Sequence, residues 1–567
     1  MHYYVSLKII YRVAVTLDNG IYCYYIVCTM YVDICNYKRG VKKYSRSLIR
    51  ESYRVKKNIK QRTIANISHL PMDEILTLKA AFKGEVVPIE DVPDIKTMPM
   101  NQGPSIGAIF SLITLAKRLG ITAVIGTSKI ALLVLWLVFA RIINQGSRLS
   151  AVRLANKHAV GELMGLSTFD EDNLYSALDW AADNQEDIEK RLFKKRFTNQ
   201  KPSLFLYDVT SSYLEGTENE LGNWGYNRDK KRGKMQIVIG LLTDPEGVPV
   251  AVRVFEGNTT DPTTCFDQIK LLAESFNVKD VTLVGDRGMI KSAQIEALSE
   301  HDFHFITAIT KPQIESLIKD GVIQLNLFDE NVTEVTECNI RYILRRNPLR
   351  AKEIEDNRKD KFRSLQLKVG WSNDYLKEHQ RAGIDIQLRD LTAYAKKLKI
   401  LSWIDLSVDD RTITLSSDKD RLEVSSRLDG CYVIKTDLTV EQCDAQAIHD
   451  RYKDLSQVEL AFRTMKTGLL EVRPVYVRKA KRTRGHVFIT MLAYTIVHEI
   501  KRLTPELADN PVKEIIDQLA AINMVELKDK GEIFYRVPTP NNETQDLLSK
   551  LNISIPSLIP MKGIRIM

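Results

Sequence analysis

Two short apolar runs, each stopping at an aspartate, constrain this chain most: SLFLYDVTS (203–211) and VTLVGDRGM (281–289). Runs this short, with no polar alternation, read as strands buried on both faces. Between them, MQIVIGLLTD (235–244) and PVAVRVFEG (249–257) read as two more strands, joined by the turn Pro245-Glu246-Gly247. A helix starts near Asp261-Pro262, where proline suits the first turn. SAQIEALSE then reads as a second helix and HFITAIT (304–310) as a further strand. The order β-β-β-α-β-α-β predicts an α/β domain in which an antiparallel meander is extended by strands arriving from helical crossovers.

That order is the one found in a ribonuclease-H-like mixed sheet. In such a sheet the first and fourth strands are neighbours, so Asp208 and Asp286 stand side by side at their C-terminal ends. Two like charges a few Å apart are unfavourable unless a cation lies between them. Hard carboxylate oxygens select Mg²⁺ or Mn²⁺. A single aspartate at a strand end is ordinarily a turn-former or a helix cap; two at matching places fit that reading less well.

A third carboxylate is expected from a helix beside this edge. In HDRYKDLSQVELAFRTMKTGLLEVRP (449–474), Leu455, Val458, Phe462, Met465 and Leu469 follow Ile448 at helical spacing, predicting one long helix over 441–470. Tyr452, Glu459, Arg463 and Lys466 form a second stripe on it. A solvated face laced with ion pairs has the same composition, so the stripe alone decides nothing.

The rest of the chain excludes several classes. With 44% hydrophobic and 27% charged residues it is neither a disordered tail nor a fibre. Its seven cysteines form no CxxC pair, which argues against a zinc ribbon or a disulfide framework and for a reducing compartment. The longest apolar run, IALLVLWLVFA (130–140), is about half the roughly 20 residues that a membrane span needs, so it reads as a buried helix. The first 45 residues hold nine of the 22 tyrosines without a helical period; they are either a β-rich lead-in or an extension ahead of a start such as Met30.

These residues together resemble insertion-sequence transposases that carry a DDE triad on a ribonuclease-H-like core. The likeness is strongest to the family-four-like group marked by a Y-R-E-K signature. Tyr452, Glu459 and Lys466 reproduce its spacing, and YDVTSSYLEG, GYNRDKKRGKMQIVIGLLTD, VFEGNTTDP and LVGDRGMI are similar to the group's strings. The position of the signature arginine falls on Leu455, a departure that Arg451 or Arg463 would have to offset.

The resemblance implies that Asp208, Asp286 and Glu459 hold two Mg²⁺ (or Mn²⁺) ions and catalyse cleavage and strand transfer of transposon DNA. It also implies double-stranded DNA partners (terminal inverted repeats and target), a homodimer or higher synaptic complex, no membrane, and a place in bacterial or archaeal cytoplasm at the nucleoid. The implied layout is an atypical lead-in (1–45) and a mostly helical N-terminal DNA-binding region (46–200). The core follows in two parts (201–310 and 431–505, the second with the Glu helix), split by a β-rich insertion (311–430). A C-terminal tail (506–567), suited to dimerisation, ends the chain.

Tyr452 and Lys466 would grip the backbone near the cleaved end, with Arg463 beside them. The net charge of +9 hides strips of basic residues. Residues 38–62 carry eleven Lys/Arg against one Glu, and 473–484 carry six with no acid. The strip 226–236 contains Lys230, Lys231 and Arg232; the last strip contains Arg473, Arg478, Arg482 and Arg484, followed by His486. Each could be a solvated face; flanking three acids, they predict a phosphate-tracking groove. A fourth strip, 341–381, lies in the insertion. There Trp371 and Trp403 are candidates for stacking a flipped base, as relatives do with an aromatic, or are simply core. Asp261 is a weaker candidate for a fourth acid. A nuclease that cuts without joining, or an inactive DNA-binding relative, are the alternatives; the presence of all three acids and the lysine argues against the second.

Overall fold

The computed structural model describes residues 10–17, 20–27, 29–39, 42–55, 58–83, 100–166, 168–229, 231–466, 469–473, 475–507, 510–529 and 532–559. The chain divides into two compact units, Met1–Met98 and Pro99–Met567.

The first unit is largely strand. Ile10–Leu17 pairs antiparallel with Gly20–Val27, and Thr29–Arg39, Lys42–Val55 and Asn58–Asn66 form an antiparallel meander. A helix, Met72–Lys83, buries Ile75 against Val32 and Ile67. Residues 46–55 and 58–66 are therefore strand, where a mostly helical region was expected. Their Ser, Thr, Tyr and Ile suit a pleated surface better than a helix.

In the second unit the main sheet has eight strands: β1 (Leu204–Tyr213), β2 (Gln236–Thr243), β3 (Pro249–Glu256), β4 (Thr282–Gly285), β5 (His304–Ala308), β6 (Thr333–Glu337), β7 (Ile340–Arg346) and β8 (Cys431–Thr436). Their spatial order is β6-β7-β8-β5-β4-β1-β2-β3. β1, β2 and β3 are antiparallel neighbours, whereas β4 runs parallel to both β1 and β5. β2 is buried at every position and β1 at nearly every one, which is why they read as continuous apolar runs.

Helices cover the sheet. The apolar run expected to be a buried helix is one: Lys129–Ile143, started by Ser128, whose hydroxyl accepts from the Ala131 N–H. Among the described residues no single helix is long and apolar enough to cross a membrane. Helix α1 (Glu171–Asp183) packs on the long C-terminal helix α5 (Ala480–Leu503). Their approach is close enough that a Cβ on Gly485 would lie 2.2 Å from the Leu178 carbonyl oxygen. Gly485→Ala is expected to lower unfolding stability by about 1–3 kcal/mol, read by urea denaturation; no change would mean the two helices can part freely. The tail folds back: Asn523–Asp529 pairs with Met100–Ser105 in a separate four-stranded sheet.

The segment 311–430 departs from expectation. Its first strands, β6 and β7, join the main sheet. Beyond them it is chiefly helical: α2 (Pro348–Glu378), Ile384–Leu398, and one hairpin, Ile404–Asp409 with Thr412–Ser417. Leu365, Val369 and Leu376 recur at helical spacing on α2 and bury against Leu391 and Ala395. Asn347 caps α2 by accepting from the Arg350 N–H, and Pro348 takes its first turn.

Candidate active site

β1 and β4 pair in parallel with Gly285 opposite Tyr207. The next residue on each strand line is therefore Asp286 beside Asp208. The chain turns immediately after β4. The Asp286 carbonyl accepts from the Met289 N–H at 3.1 Å and from the Thr307 hydroxyl at 3.2 Å, and Gly288 takes φ +80°. This turn leaves the Asp286 side chain exposed at the sheet edge.

The expected helix over 441–470 is interrupted into α3 (Ala445–Lys453) and α4 (Leu455–Lys466). At the join the Gln457 N–H bonds the Asp454 carbonyl, a tighter turn than an α-helix makes. Tyr452 and Glu459 therefore belong to different helices. Leu455, Val458, Phe462 and Met465 bury one face of α4 and leave Glu459 exposed.

Asp208, Asp286, Tyr452 and Glu459 all line one cavity of about 900 Å³. Burial pushes the Asp208 carboxyl up to about 7; a hydrogen bond from the Val209 backbone opposes this, the charges of Asp286 and Glu459 add to it, and Arg228 opposes it. The Tyr452 hydroxyl donates to Asp286 Oδ1 at 3.3 Å. Burial, then the Asp286 charge, raises the phenol's pKa and keeps it protonated. Tyr452 thus meets a carboxylate rather than standing free in the groove. Among the described residues no three acid, histidine or cysteine side chains close on a single point.

Sequence reading did not single out the basic residues that line the same cavity: Arg287, next to Asp286, and Lys311, Arg350, Lys361 and Lys399. Arg350 and Lys361 lie in the 341–381 strip, so the strip was visible but not which of its members turn toward the acids. Leu455, at the signature arginine position, is buried at the start of α4 and also lines the cavity.

Several DNA-contact candidates are already engaged. Lys466 Nζ bonds Asp229 Oδ1 at 3.0 Å, and Arg473 donates to the same oxygen. Arg482 bonds Asp179 at 3.2 Å and lies over the Tyr175 ring. Lys231 lies over the Tyr213 ring. Arg232, Arg463, Arg478 and Arg484 are exposed, while Lys230 lies outside the described residues. Asp261 accepts both its hydrogen bonds from Arg228 at 2.6 Å, so its carboxylate is committed to an ion pair.

Two candidates are core residues. Trp403 is 4% exposed and packs against Phe362 within the insertion, so it is chiefly a core residue, although it also lines the acid cavity. Trp371, 69% exposed on α2, retains a free face. His486 is buried in α5, where its Nε2–H meets the Val472 carbonyl at 3.3 Å, out of reach of DNA. Burial, with Arg141 and Arg148 nearby, holds its pKa well below the usual imidazole value. The unfolded chain takes up a proton there below about 6.5 that the folded chain refuses, so stability falls as pH drops through that value. His486→Gln is expected to remove a slope of up to about 1.4 kcal/mol per pH unit between pH 6.5 and 5, measured by urea denaturation. An unchanged slope would place the acid sensitivity elsewhere.

A family model described as "Transposase DDE domain" matches residues 199–496. Among solved structures, a piggyBac transposase synaptic complex with hairpin DNA, determined by cryo-EM, shares 9% identity, with a TM-score of 0.36, over 74% of this chain and 82% of that one. No curated protein matches.

Proposed function

The chain belongs to the family of transposases with a DDE domain, and we propose that Asp208, Asp286 and Glu459 are its catalytic acids, cutting the ends of a mobile element and joining them to new DNA. The observation that carries this is the placing of all three around one cavity that basic side chains also line. The sheet order, with β4 inserted beside β1 and followed by β5, supports a ribonuclease-H-like reading of the core.

The donor set suits hard divalent cations. Three carboxylates share a cavity, and one is held up to about 7 chiefly by burial, a state that a bound cation would relieve. Asp208, Asp286 and Glu459 would hold Mg²⁺ or Mn²⁺, two ions per site. Such ions, when bound, lower the pKa of the attacking hydroxyl and offset charge on the leaving oxygen.

The protein's own groups do the rest. The basic residues Arg287, Lys311, Lys361 and Lys399, which line the same cavity, draw a DNA strand across the acids and offset charge growing on the phosphate. Tyr452, donating to Asp286, holds that carboxylate's orientation. In the first reaction a water oxygen bonds to phosphorus and the P–O3′ bond breaks, leaving a 3′-hydroxyl on the element. In the second, that hydroxyl oxygen bonds to a target phosphorus and displaces a target 3′-oxygen.

Terminal inverted repeats are the DNA read, in a homodimer or larger complex, since two ends must be held before either is joined. Supplying pre-cleaved terminal ends with supercoiled plasmid and Mg²⁺ tests the joining step. Joined product that disappears on chelation is expected; cleavage of intact ends with no joined product would make the protein a nuclease instead.

A further inference from the structure

We infer that the loop 222–236 and the segment after α4 form a platform for unpaired bases of single-stranded DNA. This rests on the reading of the protein as a DNA-processing enzyme but adds a site outside the acid cavity. Three large rings stand in water here: Trp224 is 59% exposed, Tyr226 82% and Tyr476 73%. Single exposed aromatics need no explanation, whereas three around one backbone junction do.

The junction is well defined. The Leu214 N–H bonds the Met235 carbonyl at 2.9 Å, and the Glu215 N–H bonds the Val475 carbonyl at 3.3 Å. Asn223 and Gln236 exchange two backbone bonds, at 3.0 and 3.1 Å. Trp224 therefore follows Asn223, tied to Gln236, and Tyr476 follows Val475, tied to Glu215, whose neighbour Leu214 is bonded to Met235. The Lys234 ammonium lies 2.6 Å from Glu215. Arg228 is held by Asp261 with its guanidinium over the Tyr226 ring, 5.7 Å from the centroid. The loop backbone is itself pressed on the core, since a Cβ on Gly225 would lie 2.2 Å from the Gly257 carbonyl oxygen. The rings are thus mounted on fixed backbone.

Charge selects the occupant. The loop carries five Lys/Arg against one Asp, and 473–484 carries six with no acid. Aromatic faces interleaved with cations suit a strand that offers phosphates and bare base faces together. A duplex hides its base faces in the stack and can use only the cations. Strand β1 leads from Asp208 to this junction at Tyr213, so a strand freed at the cut can continue onto it.

The test uses the full chain and a fluorescein-labelled oligothymidine of about 15 nucleotides. Fluorescence anisotropy should show that the triple variant Trp224→Ala/Tyr226→Ala/Tyr476→Ala binds the single strand at least about tenfold more weakly than the parent. Its affinity for an arbitrary duplex should stay within about twofold of the parent's. The matching triple phenylalanine variant should bind the single strand as the parent does. Independently of any effect on folding, the single strand should quench parent tryptophan fluorescence, and Trp224→Phe should lose that quench. Equal single-strand affinity in parent and alanine variant, or a phenylalanine variant as weak as the alanine one, overturns the platform. Neither result touches the transposase reading if the parent still cuts duplex ends with Mg²⁺. A parent that cuts nothing and binds no DNA overturns both.

Discussion

A chain carrying Asp208→Ala is expected to lose divalent-metal-dependent cleavage of its terminal-repeat DNA by roughly 10³-fold or more, while still binding that DNA. Asp286→Ala should do the same. The expectation follows from register: Gly285 faces Tyr207, so the two carboxylates stand next to each other where β4 ends and β1 runs on. Either one alone leaves a cation with too few hard oxygens. Binding should survive because the basic groups lie on other elements: Lys311 and Arg350 on the insertion side, Arg478 and Arg484 after α4. Gel shift and cleavage assays on the same protein separate the two effects. A variant that lost binding and cleavage together would point to a folding defect.

The second large effect is on stability. Asp229→Ala is expected to cost about 3–5 kcal/mol. Asp229 is 3% exposed and accepts from both Lys466 and Arg473, while its other oxygen accepts from the Tyr213 N–H at 3.2 Å. Lys466 is itself largely buried, and burial already lowers its pKa. Removing the acid leaves two partly desolvated cations facing each other at the end of α4. The double variant Asp229→Ala/Lys466→Met should recover part of the loss, since it removes one of the two stranded charges. Urea denaturation of the parent, both single variants and the double variant gives the coupling; strict additivity would show that the pair contributes nothing beyond its separate residues.

Asp229 also shows where sequence reading reaches its limit. In YNRDKKRGKMQ it is one acid among five bases, and the strip reads as a phosphate contact. Its decisive partners are more than 200 residues away, at Lys466 and Arg473. Pairing over such distances leaves no local pattern, so a strip that reads as a phosphate contact holds a structural ion pair at its centre. Arg482, committed to Asp179, is a second instance.

What was legible had a local physical cause. Strands buried on both faces must be continuous apolar runs, and Asp286 was found because its run stops there, directly after β4; Asp208, expected to end the first strand, lies inside β1, which runs on to Tyr213, and the two acids meet because the parallel pairing with β4 stops at Tyr207 and Gly285. The Glu459 helix was visible from its apolar spacing, but its break at Asp454 was not, because the break replaces one backbone bond and leaves the apolar period intact. Trp403 and His486 were misplaced for a shared reason. Composition says that a tryptophan or a histidine can meet DNA, and only tertiary packing shows that Phe362 and the Val472 carbonyl already occupy them. The insertion was expected to be β-rich from its short strands; β6 and β7 instead extend the main sheet, and charged α2 with its partner helix makes up most of the remainder.

Glu459 is the acid that rests on the longest inference, because it lies on an exposed face of a separate helix far along the chain. The most direct measurement is cleavage of duplex DNA from the inverted repeats flanking the gene, by parent and Glu459→Ala, in Mg²⁺ and again in Mn²⁺. The three-acid site predicts that Glu459→Ala binds these ends as the parent does and cuts them in neither metal. Cutting at the parent's rate would contradict it and remove Glu459 from the catalytic set.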